Sequence, residues 1–197
     1  MADQQQASDL LEQGQAKQAS EIYQELGLQA HAAYAAIFDQ DLERAAKLNK
    51  EAEYSPLSKW VEFLLGLLEA SDDQRLASPG YLTCRLYTEA SIGYLLDYQL
   101  DDYLTKLIKH RYDLVPVYPE ILKDIGSAYL ARKDYETALE YLNEAKQKYA
   151  QDAGVYYKSA IAYLGLDMPD QAKPCIEMVE RLIPGSTLVS QLKQTLG

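Results

Sequence analysis

The feature that most constrains this chain is a register that returns after 34 residues. Gly126, Tyr129, Ala138, Leu142 and Ala145 are answered by Ala160, Tyr163, Ala172, Ile176 and Val179. A fixed period of this length marks a solenoid, in which each unit buries its apolar face against its neighbours. Arrays of this kind usually bind and rarely catalyse. At 197 residues the chain has room for about five such units, and its 48% apolar content is that of a folded protein.

Charge narrows the class of partner. Nineteen lysines and arginines against thirty aspartates and glutamates leave a net charge of −11, so the molecule as a whole repels a phosphate backbone, and nucleic acid is not an expected partner. Lys106, Lys109, His110 and Arg111 form a local basic cluster, read here as mostly structural. Cys84 and Cys175 show no CxxC spacing and no nearby histidine, which suggests neither a disulfide framework nor a zinc site and fits a reducing compartment. The N-terminal sequence has no basic segment leading into an apolar one, and no stretch approaches eighteen uninterrupted apolar residues. Membrane insertion is not expected, and the expected location is cytoplasmic.

Helix formers dominate. Breakers fall at Gly14, Gly27, Pro56, Ser78-Pro79-Gly80, Pro116, Pro119 and Pro184-Gly185. Helices are placed at 3–13, 16–26, 28–38, 41–53, 57–71, 81–98, 100–113, 119–132, 135–149, 153–165, 169–182 and 187–196, twelve in all, and short links make them antiparallel pairs.

The stretch 119–152 is the clearest unit. Leu122, Ile125 and Tyr129 share one helical stripe, and Gly126 sits beside them where a side chain would block close approach, so the partner helix crosses there. In that partner Leu139, Leu142 and Ala145 face inward and the small Ala138 lets the backbones meet, with Asp134 as N-cap. The unit resembles the tetratricopeptide repeat: a large apolar residue, then Ile125-Gly126, Tyr129, Ala138, Leu142 and Ala145 stand at that family's offsets. In the next unit, 153–186, Tyr156, Ala160, Tyr163, Ala172 and Ile176 hold the same offsets, and Pro184 falls at the closing proline. Ser159 replaces an apolar residue there, Val179 a small one, and Pro174 removes a hydrogen bond inside the second helix.

The resemblance implies an all-α fold, a right-handed α-α superhelix of about twelve helices, and a single domain over 1–197. Within it 1–56 holds degenerate repeats, 57–118 irregular ones, 119–186 the two clear units, and 187–197 a capping helix that would complete the C-terminus. In the first segment Ala7, Leu10, Ala19, Tyr23 and Leu26 keep the internal spacing, as do Ala33, Ala36, Ala45 and Ala52. Trp60, Phe63, Leu64 and Leu67 match an opening helix, after which Ser78-Pro79-Gly80 interrupts. One step before the clear units, Ile92, Leu95, Leu104, Ile108, Arg111 and Pro116 mark a degenerate unit. The capping stripe is Leu188, Val189, Leu192 and Leu196, with Gln191, Lys193 and Gln194 outside it.

Catalytic constellations are absent from the sequence: it has no phosphate-binding glycine loop, GxSxG elbow, HExxH or calcium loop. His31 and His110 read as structural, Asp101-Asp102 as complements to a helix start, and Asp72-Asp73 as residues of a link. No enzyme activity and no cofactor or metal is expected. Most of the seventeen tyrosines, including Tyr23, Tyr129, Tyr156 and Tyr163, fall at core offsets, whereas Tyr157 projects one residue around, either toward a groove or onto an adjacent helix. The resemblance implies that a peptide lies along the first helices of the pairs, a groove that here would present Glu89, Leu96, Lys123, Ser127, Leu130, Tyr157, Lys158, Ile161 and Leu164. A carboxylate clamp of the chaperone-binding subclass is disfavoured, because Ser127 stands where an asparagine should follow Lys123 and the later positions hold Tyr157, Ile161 and Gln191. Lys123 and Lys158 are left to attract an acidic peptide. The expected function is a protein-interaction module, an adaptor or assembly factor with a protein or peptide partner. The alternative is a secretion chaperone or peptide-responsive regulator that hinges at 71–80. Apolar surface left open by the degenerate repeats would also permit a homo-oligomer.

Overall fold

The computed structural model describes residues 3–71 and 73–196, together with the side chains of those residues except Gln191 and 193–196. Among the described residues the chain is helical with no strand. Its elements are α1 (Gln4–Glu12), α2 (Ala16–Glu25), α3 (Gln29–Phe38), α4 (Leu42–Glu51), α5 (Pro56–Glu69), α6 (Tyr81–Asp97), α7 (Asp101–Lys109), α8 (Arg111–Leu114), α9 (Ile121–Ala131), α10 (Tyr135–Lys148), α11 (Ala153–Gly165), α12 (Pro169–Leu182) and α13 (Thr187–Leu196). They form two compact units, 1–119 and 120–197. Asp72 and the side chains of Gln191, Lys193, Gln194 and Leu196, which carried expectations above, lie outside the described residues.

Among the described residues thirteen helices stand where twelve were expected, because the helix placed at 100–113 breaks at His110 into α7 and α8. The His110 ring is buried, with Nδ1 3.1 Å from Oδ2 of Asp113, and the turn that holds it lets Leu114 and Tyr118 reach the core. Lys106 and Arg111 of the basic cluster are structural as well. Lys106 Nζ donates to the carbonyls of Leu68 and Ala70 at the end of α5, and Arg111 donates to Ile108 O at 2.8 Å.

One turn recurs along the chain. After α1, α2, α3, α6, α9 and α11 a single residue enters the left-handed region: Gly14, Gly27, Gln40, Gln99, Lys133 and Asp167, with φ of 81°, 74°, 61°, 56°, 62° and 57°. The amide two residues past each helix cap bonds back to the helix, at the carbonyls of Leu10, Tyr23, Ala36, Leu95, Tyr129 and Tyr163. This is the Schellman closure, which satisfies carbonyls that a helix end otherwise leaves open. Four of the six residues carry a side chain where glycine would be unstrained, so the hairpin geometry outweighs a local cost of about 1 kcal/mol. Asp41 and Asp134 then cap the next helix, their carboxylates accepting from Arg44 N at 3.0 Å and Thr137 N at 3.2 Å. α7 lacks such a side-chain cap; Asp101 and Asp102 occupy its first turn, where they complement the helix dipole.

In the first unit α1 to α4 pack in sequence and α5 joins both α3 and α4. Ala33, Ala36 and Ala45 are buried, as are Trp60, Phe63, Leu64 and Leu67 of α5, whereas Leu26, at the end of its spacing set, is 41% exposed. α5 begins on a capping box in which Ser55 and Ser58 exchange side-chain and backbone bonds, with Pro56 in the first turn. The segment between α5 and α6 is irregular and contains Ser78-Pro79-Gly80. α6 then lays one stripe, Tyr87, Ser91, Tyr94 and Tyr98, against α1, α3 and α5. Tyr98 donates to Leu11 O at 2.7 Å, Tyr34 OH lies 2.7 Å from Ser91 Oγ, and Trp60 Nε1 donates to the same oxygen at 2.8 Å. Phe38 packs between Tyr94 and Tyr98 at ring separations of 5.2 and 5.8 Å. The stripe therefore joins helices far apart in sequence.

In the second unit α9, α10, α11 and α12 pack in sequence, and α13 closes on α11 and α12. The crossing of α9 and α10 falls at Gly126, as expected. A Cβ at that position would lie 2.7 Å from Leu142 Cγ and 3.2 Å from Ala138 O. Ala138, Leu142, Ala145, Ala160, Ala172, Ile176 and Val179 are all buried. Ser159 is buried too, and its hydroxyl donates to Val155 O at 2.9 Å, which explains a polar residue at an apolar offset. Pro174 lies inside α12, exposed.

Candidate protein-interaction site

The expected groove residues fall on three helices. Glu89 and Leu96 belong to α6 in the first unit, Glu89 exposed and Leu96 half-buried. Lys123, Ser127 and Leu130 belong to α9, and Tyr157, Lys158, Ile161 and Leu164 to α11, both in the second unit.

Within the second unit the α9 residues are already engaged. Lys123 Nζ donates to Asp152 Oδ2 at 2.7 Å, with the two side chains 25% and 28% exposed. The other carboxylate oxygen of Asp152 accepts from Gly154 N and Val155 N at 2.8 and 3.3 Å, so one side chain caps α11 and ties it to α9. Ser127 is buried, and its hydroxyl donates to Lys123 O at 2.6 Å. Leu130 is half-buried.

α11 supplies the open part. Tyr157, Ile161 and Leu164 recur at helical spacing, all half-buried, and pack from behind on a cluster of Ala160, Cys175, Ile176, Val179, Val189 and Leu192. Lys158 lies beside them, half-buried. Tyr156 and Tyr163, assigned to the core by their offsets, are also half-buried, and Lys146 Nζ approaches both rings, 5.9 and 5.6 Å from their centroids. Burial holds the Lys146 ammonium below its ordinary pKa. The Cys175 thiol within this cluster is pushed up by burial, opposed by the Lys146 charge; in the first unit burial likewise raises Cys84. Both cysteines are free and buried.

Two features escaped the sequence reading. One is Tyr135, whose ring lies over Gly165, so that a Cβ at 165 would fall 2.5 and 2.6 Å from Cε2 and Cε1. The 30-residue separation of this pair from α10 to α11 breaks the 34-residue register that drew attention to other positions. The other is the α6 stripe. Its signal is present in the spacing of Tyr87, Ser91, Tyr94 and Tyr98, four, three and four residues apart, one face of a helix.

Chemistry needing a metal has no assembled ligand set here: among the described residues no three His, Cys, Asp or Glu side chains gather to hold an ion. Among the same residues no helix is long and apolar enough to cross a membrane. The model of a family described as tetratricopeptide repeat matches residues 129–196. No curated protein and no solved structure matches the chain.

Proposed function

We propose, from the match of residues 129–196 to the tetratricopeptide-repeat model, that the chain is a non-catalytic adaptor or assembly factor that holds a peptide or helix of a partner protein. Repeats of this family generally mediate contacts between proteins. The contact face proposed is that of α9 and α11, with Tyr157, Ile161 and Leu164 as the apolar row and Lys158 beside it.

The observation that supports this choice is the incomplete burial of that row. Its three side chains rest on the unit's core from behind while each keeps part of its surface open. Aromatic and aliphatic anchors of this kind, flanked by polar side chains, make up the centre of protein interfaces. Because Lys123 is paired with Asp152, a partner carboxylate would have to displace that ion pair, whereas among the described residues Lys158 beside the apolar row has no such pair to break.

A photo-reactive residue placed at 157, compared with one at Lys173 on α12, tests the assignment in native cells. The reading expects one crosslinked protein species from position 157 that is absent from position 173. Equal crosslinking from both positions would overturn it.

A further inference from the structure

The first unit contains an open cavity of about 250 Å³ lined by residues of α1, α2, α3, α5 and α6. Its walls include the rings of Tyr23, Tyr34, Tyr87 and Tyr94, with His31 beside them and Leu86 at the exposed side. Tyr34 anchors the arrangement. Its hydroxyl is held by Ser91, and its ring meets Tyr87 at 6.4 Å and 53° and Tyr94 at 6.3 Å and 70°, so the walls are tilted to one another rather than stacked. The volume is below the roughly 300–1,000 Å³ of small-molecule sites, which suits a single side chain better than a cofactor.

Charge selects the occupant. Among the described residues no lysine or arginine lines the cavity. Burial is the dominant effect that raises the Tyr23 and Tyr94 hydroxyls; at Tyr23 a hydrogen bond with Ser8 opposes it and the carboxylates of Glu12 and Asp9 add smaller upward contributions, and at Tyr94 Glu12 is the leading charge. These acids therefore bear directly on two of the four rings. Burial also lowers His31, so its imidazole is neutral near pH 7 and opposes no incoming cation. Tilted aromatic faces attract a positive group through the ring quadrupole, and the exposed carboxylates of Asp9 and Glu12, next in sequence to the lining residues Ser8 and Leu11 of α1, add to that attraction without lining the cavity.

We propose that this cavity receives the cationic head of a lysine or arginine side chain presented by a partner polypeptide. Leu86 at the mouth and Leu82 one turn before it, 52% and 60% exposed, form an apolar ridge on α6 against which the neighbouring residues of that polypeptide rest. The site is separate from the α9 and α11 face and does not depend on it.

The test uses the full chain with ring-labelled tyrosines, titrated in NMR with glycine–serine peptides that carry one central arginine, lysine, norleucine or glutamate. A parallel titration uses tetramethylammonium chloride. The arginine or lysine peptide is expected to shift the Tyr23, Tyr87 and Tyr94 signals, with binding that weakens as salt is raised. Tyr87→Leu should weaken it about tenfold, on the scale of a desolvated cation–π contact. Because Tyr87→Leu removes a packed ring, the exposed changes Glu12→Gln and Asp9→Asn serve as the second test and should each weaken binding with the fold unchanged. Norleucine binding as tightly as arginine, no shift at these three rings with either cationic peptide, or shifts with tetramethylammonium alone would each overturn the proposal.

Discussion

The hydroxyl of Tyr34 lies 2.7 Å from Oγ of Ser91, a bond between residues 57 apart that fastens α6 to α3. The same oxygen accepts the Trp60 indole N–H at 2.8 Å, and Ser91 and Trp60 are 0% exposed. Ser91→Ala would leave two buried polar groups without a partner, each costing about 1–3 kcal/mol. The expected result is a loss of at least about 2 kcal/mol in urea denaturation of the first unit. Unchanged stability would show that water reaches both groups.

Gly126 and Gly93 should respond oppositely to alanine. At Gly126 a Cβ meets Leu142 Cγ at 2.7 Å, close to the α10 backbone, and overpacking there costs about 1–3 kcal/mol. At Gly93 a Cβ meets nothing within 4 Å, so Gly93→Ala should gain about 0.5–1 kcal/mol from helix propensity. Thermal melts of the two single variants measure both signs. A stabilising Gly126→Ala would show that α9 and α10 can separate at their crossing without loss.

Asp152 performs two tasks that substitution can separate. Asp152→Asn keeps an N-cap acceptor for α11 and loses the charge that holds Lys123, and because that pair is about three-quarters buried and only partly screened, the loss should exceed that of a surface pair and shrink as salt is raised. Asp152→Ala removes the cap as well and should cost about 0.5–2 kcal/mol. Denaturation at low and high salt distinguishes the two, with only the asparagine variant converging on wild type at high salt.

The histidine on α3 sets a direction for pH dependence. Burial lowers His31 from its ordinary 6.5, so the unfolded chain binds a proton more readily than the folded one. Its contribution is whole above about pH 6.5 and is lost as pH falls from there through the folded-state value. Denaturation midpoints at pH 8 and pH 5 should differ less in His31→Gln than in wild type. An equal difference would remove His31 from the acid response.

What could be read from the sequence is what the repeat itself imposes. Tyr129 and Tyr163 stand at the same place before the same turn, whose amide closes on their carbonyls, and Gly126 is small because Leu142 of the next helix fills the space beside it. Each relationship spans one hairpin, so a register of 34 residues registers it. The α6 stripe spans more. Tyr98 reaches Leu11 across 87 positions and Ser91 reaches Tyr34 across 57, and no periodicity between neighbouring units encodes those pairings. The break at His110 was hidden for a related reason: a histidine that bonds Asp113 replaces the glycine or proline that would have announced it. At the candidate face, the residue types were legible but their commitments were not, since the Asp152 that occupies Lys123 lies 29 residues away, at the N-cap of α11.

The two cysteines have a kinetic consequence. Cys84 sits on α6 in one compact unit and Cys175 on α12 in the other, both buried and both held toward the protonated thiol. Alkylation requires the thiolate and access to it, so neither sulfur reacts until its own surroundings open. The chain thus carries one native clock in each half, and the two labelling rates read the opening of the two halves separately, in the same tube and without any engineered probe.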